Sequence, residues 1–417
     1  MDLDAYRARA QAFATALNRA HHRRFAGLDG TWDPAALHAR HEAGLFDDAA
    51  IEALRTATVD YERGGDPGAA DHLRRLLRFA VEARLGAVTA PAESRRARAE
   101  AEGGMADLTT ALAAEPDLGA RVALEEQRLD LVARTLSDPA AEALERVRLE
   151  ARHLGWASAR AMFSALHGVD LGALGAQAEA LLRATAPPDL GDGAAARFDL
   201  PRLHRAAWAD RLLPADPVAH LHASLAALGL VPERFVLDAA TRPGKSPRAF
   251  CAAIHVPDDV HLVVAPRGGL PDLEALFHEA GHAIHLTHRF PGAPFEDRHL
   301  VDRARAEGRA FALEAHATDG IPDADGRLAA HRAATGRLRT RKLAASLLHD
   351  LDLLDEGAHP ALRERYARRM AGATGLTWPS APWLAAGDPL LSSADYLRGL
   401  GQAAALRGDG LRDALIA

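Results

Sequence analysis

Residues 271–282 read Pro-Asp-Leu-Glu-Ala-Leu-Phe-His-Glu-Ala-Gly-His. Proline suits the first turn of a helix, where its missing N–H is no loss, and an acid suits the positive end of the helix dipole. Leu273 to Phe277 then carry a helix into an HExxH pattern, His278-Glu279-Ala280-Gly281-His282. Side chains four apart share a helix face, so His278 and His282 converge on one point, as two metal ligands must. Glu279 stands next to a ligand, within reach of a water on that metal.

Catalytic zinc usually takes three protein ligands and a water. Downstream, Arg303 to Glu314 reads as another helix, with Glu307 and Glu314 seven apart and so on one face. Glu307 is read as the third ligand, and Glu314 as a partner that orients a ligand imidazole. A bare HExxH needs such context, because the pattern also arises by chance. Upstream, Phe250–His255 and Val260–Ala265 are short runs with β-branched residues, joined by Val256-Pro257-Asp258-Asp259. That spacing predicts a hairpin. Its edge either takes a peptide as an added strand or only packs.

Nearly all other long segments read as helix, because Ala, Leu, Arg and Glu dominate. Leu73, Leu76, Leu77, Ala80 and Val81 have the spacing of one buried stripe. Val122, Leu129, Val132 and Leu136 are expected to line a second helix ending before Pro139. Breaks are expected at Ala90-Pro91, at Gly103-Gly104 and, most clearly, along Ala186-Pro187-Pro188-Asp189-Leu190-Gly191-Asp192-Gly193. The last divides the chain into an N-terminal helical lobe, 1–190, and a catalytic lobe, 191–417, with the HExxH helix. The expected fold class is mainly α, with a small β-hairpin or sheet beside the metal-binding helix.

The 417 residues are 48% hydrophobic and 26% charged, a globular balance long enough for a large core. A net charge of -7 gives no basis for a nucleic acid or an anionic membrane as partner. Cys251 is the sole cysteine, which excludes an intrachain disulfide and fits a reducing compartment. The N-terminus has early acids and no apolar core of a secretory signal. No apolar run approaches the roughly 18 residues of a membrane span. A cytoplasmic location is expected.

From Arg242 to Asp319 the sequence resembles the zinc oligopeptidases of the thimet oligopeptidase and oligoendopeptidase type. Gly244-Lys245-Ser246 and Ala249-Phe250-Cys251 are similar to the lead-in and first strand of that family's active-site hairpin. The HExxH motif is similar to its signature, Gly281 included. Glu307 falls at the family's third ligand and Glu314 at an acid found there. The resemblance implies an almost all-α fold of two helical lobes around a deep channel. It also implies one Zn2+ ion and cleavage of short peptides, with folded proteins excluded.

Members of that family are usually longer. They also place a His and tyrosines in a C-terminal loop over the site. Ser392 to Leu397 looks like the end of that loop, and Tyr396 matches one tyrosine. Leu384 and Pro389 stand where the His and another Tyr are expected, and no His or Tyr occurs from Leu384 to Asp395.

The expected chemistry is peptide hydrolysis. Glu279 takes a proton from a water whose pKa zinc lowers toward about 7, then hands it to the leaving amine. Tyr396 is the candidate to assist zinc at the oxyanion. Two other readings stay open: a dedicated peptide- or amide-processing hydrolase with a narrow substrate, and a catalytically lapsed binding protein of the same fold. A purely structural metal site would have no need of Glu279. The protein is expected as a monomer or homodimer. Of the remaining histidines, His21 and His22 read as a solvated charged face, and His285 and His288 as supporting or surface groups. His255 and His261, flanking the hairpin turn, read as surface residues.

Overall fold

Aspartates begin many of the helices. In the computed structural model, which describes residues 1–28, 33–191, 194–231, 234–406 and 410–416, Asp47, Asp66, Asp170 and Asp302 each accept a first-turn N–H at an N-cap. Each such cap contributes about 1 kcal/mol relative to alanine. The fold is mainly α with one small sheet, as the sequence predicts.

The sheet has three strands in the order β1-β3-β2: β1 (Val236–Asp238), β2 (Phe250–His255) and β3 (Asp259–Val263). β3 runs parallel to β1 and antiparallel to β2, with Cys251 opposite Leu262. The hairpin lies where expected, except that Asp259 belongs to the second strand rather than the turn. Three residues of β1 are too few to show a period in sequence.

Two main hydrophobic cores form. The larger unites N-terminal helices with the long helix Arg327–Glu356, through Phe13, Phe46, Leu76, Phe163, Leu347 and Leu351. It draws on both sides of position 190; Asp192 and Gly193, which close the Pro/Gly run, lie outside the described residues. The smaller core joins Val260 and Leu262 of the sheet to Leu276, Phe277 and Ile284, with Leu411 and Leu415 from the C-terminus. Each such side chain contributes about 1.5–3 kcal/mol on full burial. One cavity takes lining from both, Leu181 from the larger and Phe311, Leu400 and Ala403 from the smaller. Among the described residues no helix is long and apolar enough to cross a membrane.

Three expectations are corrected. The helix Pro67–Glu102 runs unbroken through Pro91, whose neighbours Ala90 and Ala92 are buried. Packing on both sides offsets the lost hydrogen bond. In the helix Leu118–Leu131 the buried positions are Arg121, Glu125 and Arg128, and Val122 is exposed. These charges go inside because they are paired: Arg128 and Arg197 with Glu125, each at 2.7 Å, and Arg121 with Asp199 at 3.1 Å. That helix also does not end before Pro139. A π-turn, Val132–Leu136, leads straight into the helix Ser137–His153, where Pro139 occupies the first turn. The break at Gly103-Gly104 is present, with Gly104 at φ 65.

Candidate metal centre

The motif helix, Leu270–Thr287, starts at the predicted proline and buries Leu273, Leu276, Phe277, Ala280 and Ile284. Its packing on the sheet fixes the direction of the opposite face. The glutamate helix, Arg303–Ala315, crosses it at close range, because a Cβ on Gly281 would lie 2.7 Å from Ala310 Cα. A third helix, Ser392–Ala405, approaches from the other side through Gly399, where a Cβ would lie 2.7 Å from Glu307 Cβ. Glycine permits both contacts, since real Cβ atoms do not pack that tightly.

These contacts bring the three predicted ligands together. One atom each from His278, His282 and Glu307 lies within 4.8 Å of the others. His278 Nε2 is 3.3 Å from Glu307 Oε2, and His282 Nε2 is 3.6 Å from Glu307 Oε1. Two donors about 2.1 Å from a common ion at the tetrahedral angle stand about 3.4 Å apart. Glu307 Oε2 is also buried with no hydrogen-bond partner. An orphaned carboxylate oxygen facing two imidazole nitrogens fits a divalent cation. A second trio, Asp48, Glu150 and His153, is already served by Arg84, whose Nε is 2.9 Å from Glu150.

The two imidazoles of the centre shift in opposite directions. Burial resists a charge on His278, yet the carboxylates of Glu307 and Glu314 push its pKa up to about 9. Burial and the neighbouring His278 push His282 down to about 4. Glu314 lies 3.0 Å from His278 Nδ1, as expected for a partner of that imidazole, and Arg339 holds its other oxygen at 2.5 Å.

Glu279 sits on the wall of a cavity of about 340 Å³ together with His282 and Tyr396. Burial, against the pull of His278 and with the help of Glu307, raises its pKa to about 7. Tyr396 is 37% exposed, and its ring centroid lies 6.2 Å from that of Phe311. Burial and the charges of Glu307 and Glu279 push its phenol up to about 12, so it stays a donor. A larger cavity of about 940 Å³, lined mostly by apolar groups, also reaches Glu279 and Tyr396.

β2 is an outer strand of the sheet, but its edge is partly covered. Asn18 of the N-terminal helix Leu3–Phe25 donates to Ala253 O at 2.7 Å, and Phe25 packs on Phe250. A solvated face at His21 and His22 is therefore corrected. His22 is buried against His261, with ring centroids 4.3 Å apart, and His21 lines the larger cavity. His285 is 1% exposed and meets Arg289 and Arg309, while His288 bonds back to Ile284 O.

Sequence reading missed Phe311, Arg339 and Arg248. Phe311 packs its ring 4.9 Å from that of His278. The signal existed, since Phe311 follows Glu307 by four on the same face. Arg339 lies on a separate helix, with nothing in sequence to tie it to Glu314. Arg248 lines the larger cavity near Glu279, and one exposed arginine carries no local pattern.

No family model matches this chain, and no curated protein matches its sequence. Solved structures do match. A protein assigned provisionally as oligoendopeptidase F superposes with a TM-score of 0.60 at 14% identity, over 99% of this chain and 89% of the other. PZ peptidase A, solved with an inhibitor, gives 0.54 at 12% identity, over 94% and 79%. A protein solved as BsuCP gives 0.55 at 12% identity, over 97% and 85%. At these identities the likeness is one of fold.

Proposed function

We propose that this chain is a zinc-dependent peptidase that hydrolyses bonds in short peptides, with His278, His282 and Glu307 holding one zinc ion. The observation that carries this reading is the convergence of two imidazoles and one carboxylate, with Glu279 on the wall of the adjoining cavity. That donor set suits zinc. When bound, zinc would supply a Lewis acid, acidifying a water and polarising a scissile carbonyl. Glu279 takes the water's proton and returns it to the leaving amine, a double role that a pKa near 7 favours. The Tyr396 hydroxyl donates toward the developing oxyanion. The likeness in fold to oligoendopeptidase F and PZ peptidase A supports peptide hydrolysis.

One observation favours a narrow substrate within this reading: the N-terminal helix bonds the β2 edge at Ala253 and packs Phe25 on Phe250, so little of that edge is left for an added peptide strand. The test is metal analysis with hydrolysis of a mixed peptide library, on wild type and His282→Ala. One zinc per wild-type chain and chelator-sensitive cleavage, both lost in the variant, are expected. A protein that takes up zinc but cleaves no peptide sinks the hydrolytic role. One that binds no divalent ion sinks the whole reading.

A further inference from the structure

A cavity of about 780 Å³ lies beside the smaller one over Glu279. It shares Val301 with the cavity over Glu279, and Asn18 with the larger apolar one. Seven arginines and four carboxylates line it. The carboxylates are already committed. Arg78 and Arg303 hold Glu82, Arg75 holds Asp71 and Asp297, and Arg398 holds Asp302. Arg305 and Arg309 stand one turn apart on the glutamate helix, either side of Glu307. Among the described residues neither forms an ion pair with a carboxylate. Arg309 gives one N–H to Ala414 O at 2.5 Å and aims another at the His285 ring, 3.5 Å away. An imidazole offers no negative charge to offset it.

We propose that this arm of the channel binds a carboxylate of the peptide substrate, through Arg305 and Arg309. The enzyme then prefers short peptides with an acidic side chain, or a free C-terminus, reaching that arm from the scissile bond. The inference rests on the peptidase reading and names its substrate class. Guanidinium groups pair with carboxylates through two parallel N–H donors. A cleft with an excess of one charge also concentrates the opposite charge at its mouth.

The test uses the zinc-loaded full chain and peptides of one length. One set is neutral, one carries a single Glu at successive positions, and each is made as free acid and as amide. Carboxylate peptides are expected to show a KM about tenfold lower than neutral ones, shrinking with added salt. The free-acid and amide arms tell a C-terminal carboxylate from a side chain. In Arg305→Gln the ratio of kcat/KM for acidic over neutral peptides falls. Arg305→Glu, at an exposed position that tolerates change, inverts it. Equal cleavage of neutral and acidic peptides by wild type overturns this inference and leaves the peptidase reading standing. If no peptide is cleaved, binding of the same peptides to Glu279→Gln decides: selective binding lost in a second Arg305→Glu change upholds the arm without hydrolysis, and unselective binding overturns it.

Discussion

Glu314 Oε2 lies 3.0 Å from His278 Nδ1, on the side of the ring opposite Glu307. It accepts a hydrogen bond from that nitrogen, which leaves Nε2, on the side of Glu307 and His282, as the atom a metal would take. Arg339 keeps Glu314 ionised and in place, and Phe311 packs on the same imidazole. Glu314→Gln should therefore weaken metal binding by about 10- to 100-fold, with activity restored by excess zinc. Competition with a graded chelator measures it. An unchanged affinity would show that the contact does not orient the ring.

Glu279→Gln should keep one zinc per chain and lose about a thousandfold in kcat. Glutamine keeps the size and shape of the side chain, so its position survives while its basicity does not. Metal content with steady-state kinetics on one peptide separates the two effects. Turnover at the wild-type rate would remove Glu279 from the chemistry.

Tyr396→Phe keeps the ring beside Phe311 and removes only the hydroxyl. A loss of about a hundredfold in kcat with KM little changed is expected for an oxyanion donor. A change under about twofold would make Tyr396 a packing residue.

The helix faces that carry the candidate trio could be read from sequence because helical spacing is a local rule. His278 and His282 are four apart, and Glu307, Phe311 and Glu314 share one face. The hairpin was legible from its β-branched runs for the same reason. What sequence did not reveal depends on partners far along the chain. Arg23 and Arg24 make His22 look solvated in sequence, yet His261 covers it. Val122 has the spacing of a core residue, yet Arg121, Glu125 and Arg128 are inside because Asp199 and Arg197 meet them. Pro91 signals a stop, yet burial of Ala90 and Ala92 carries the helix through. The Arg-rich arm beside the metal centre draws on helices more than two hundred residues apart, as the Arg303–Glu82 pair shows.

Asp350 predicts a stability that falls with pH. It is 2% exposed and accepts from Asp388 N at 2.9 Å and Ser393 Oγ at 2.6 Å, which ties the long helix to the chain just before Tyr396. Burial, followed by the charge of Asp388, holds its carboxyl well above the usual 3.8. A group raised in the folded state favours folding while it stays protonated. Its contribution is whole below pH 3.8 and is lost as pH rises through the folded value. Asp350→Asn keeps an acceptor for Asp388 N and cannot ionise. Urea unfolding from acid to alkaline pH should show a flatter profile for the variant, and parallel profiles would refute the assignment.

Two glycines of the helix Ser392–Ala405 make opposite predictions. A Cβ on Gly399 would lie 2.7 Å from Glu307 Cβ and 3.1 Å from Ala304 O, so the helix or the ligand must move. Gly399→Ala should cost about 1–3 kcal/mol of stability and weaken zinc binding, because Glu307 is displaced from both imidazoles. A Cβ on Gly401 meets nothing within 4 Å. Gly401→Ala, on the same helix two residues later, should stabilise by about 0.5–1 kcal/mol through the backbone alone and leave zinc affinity as it was. Thermal unfolding with and without chelator distinguishes the cases, since a chelator should lower the melting temperature of Gly401→Ala as much as that of wild type, and that of Gly399→Ala by less. If both variants behave alike, the close approach of this helix does not position Glu307.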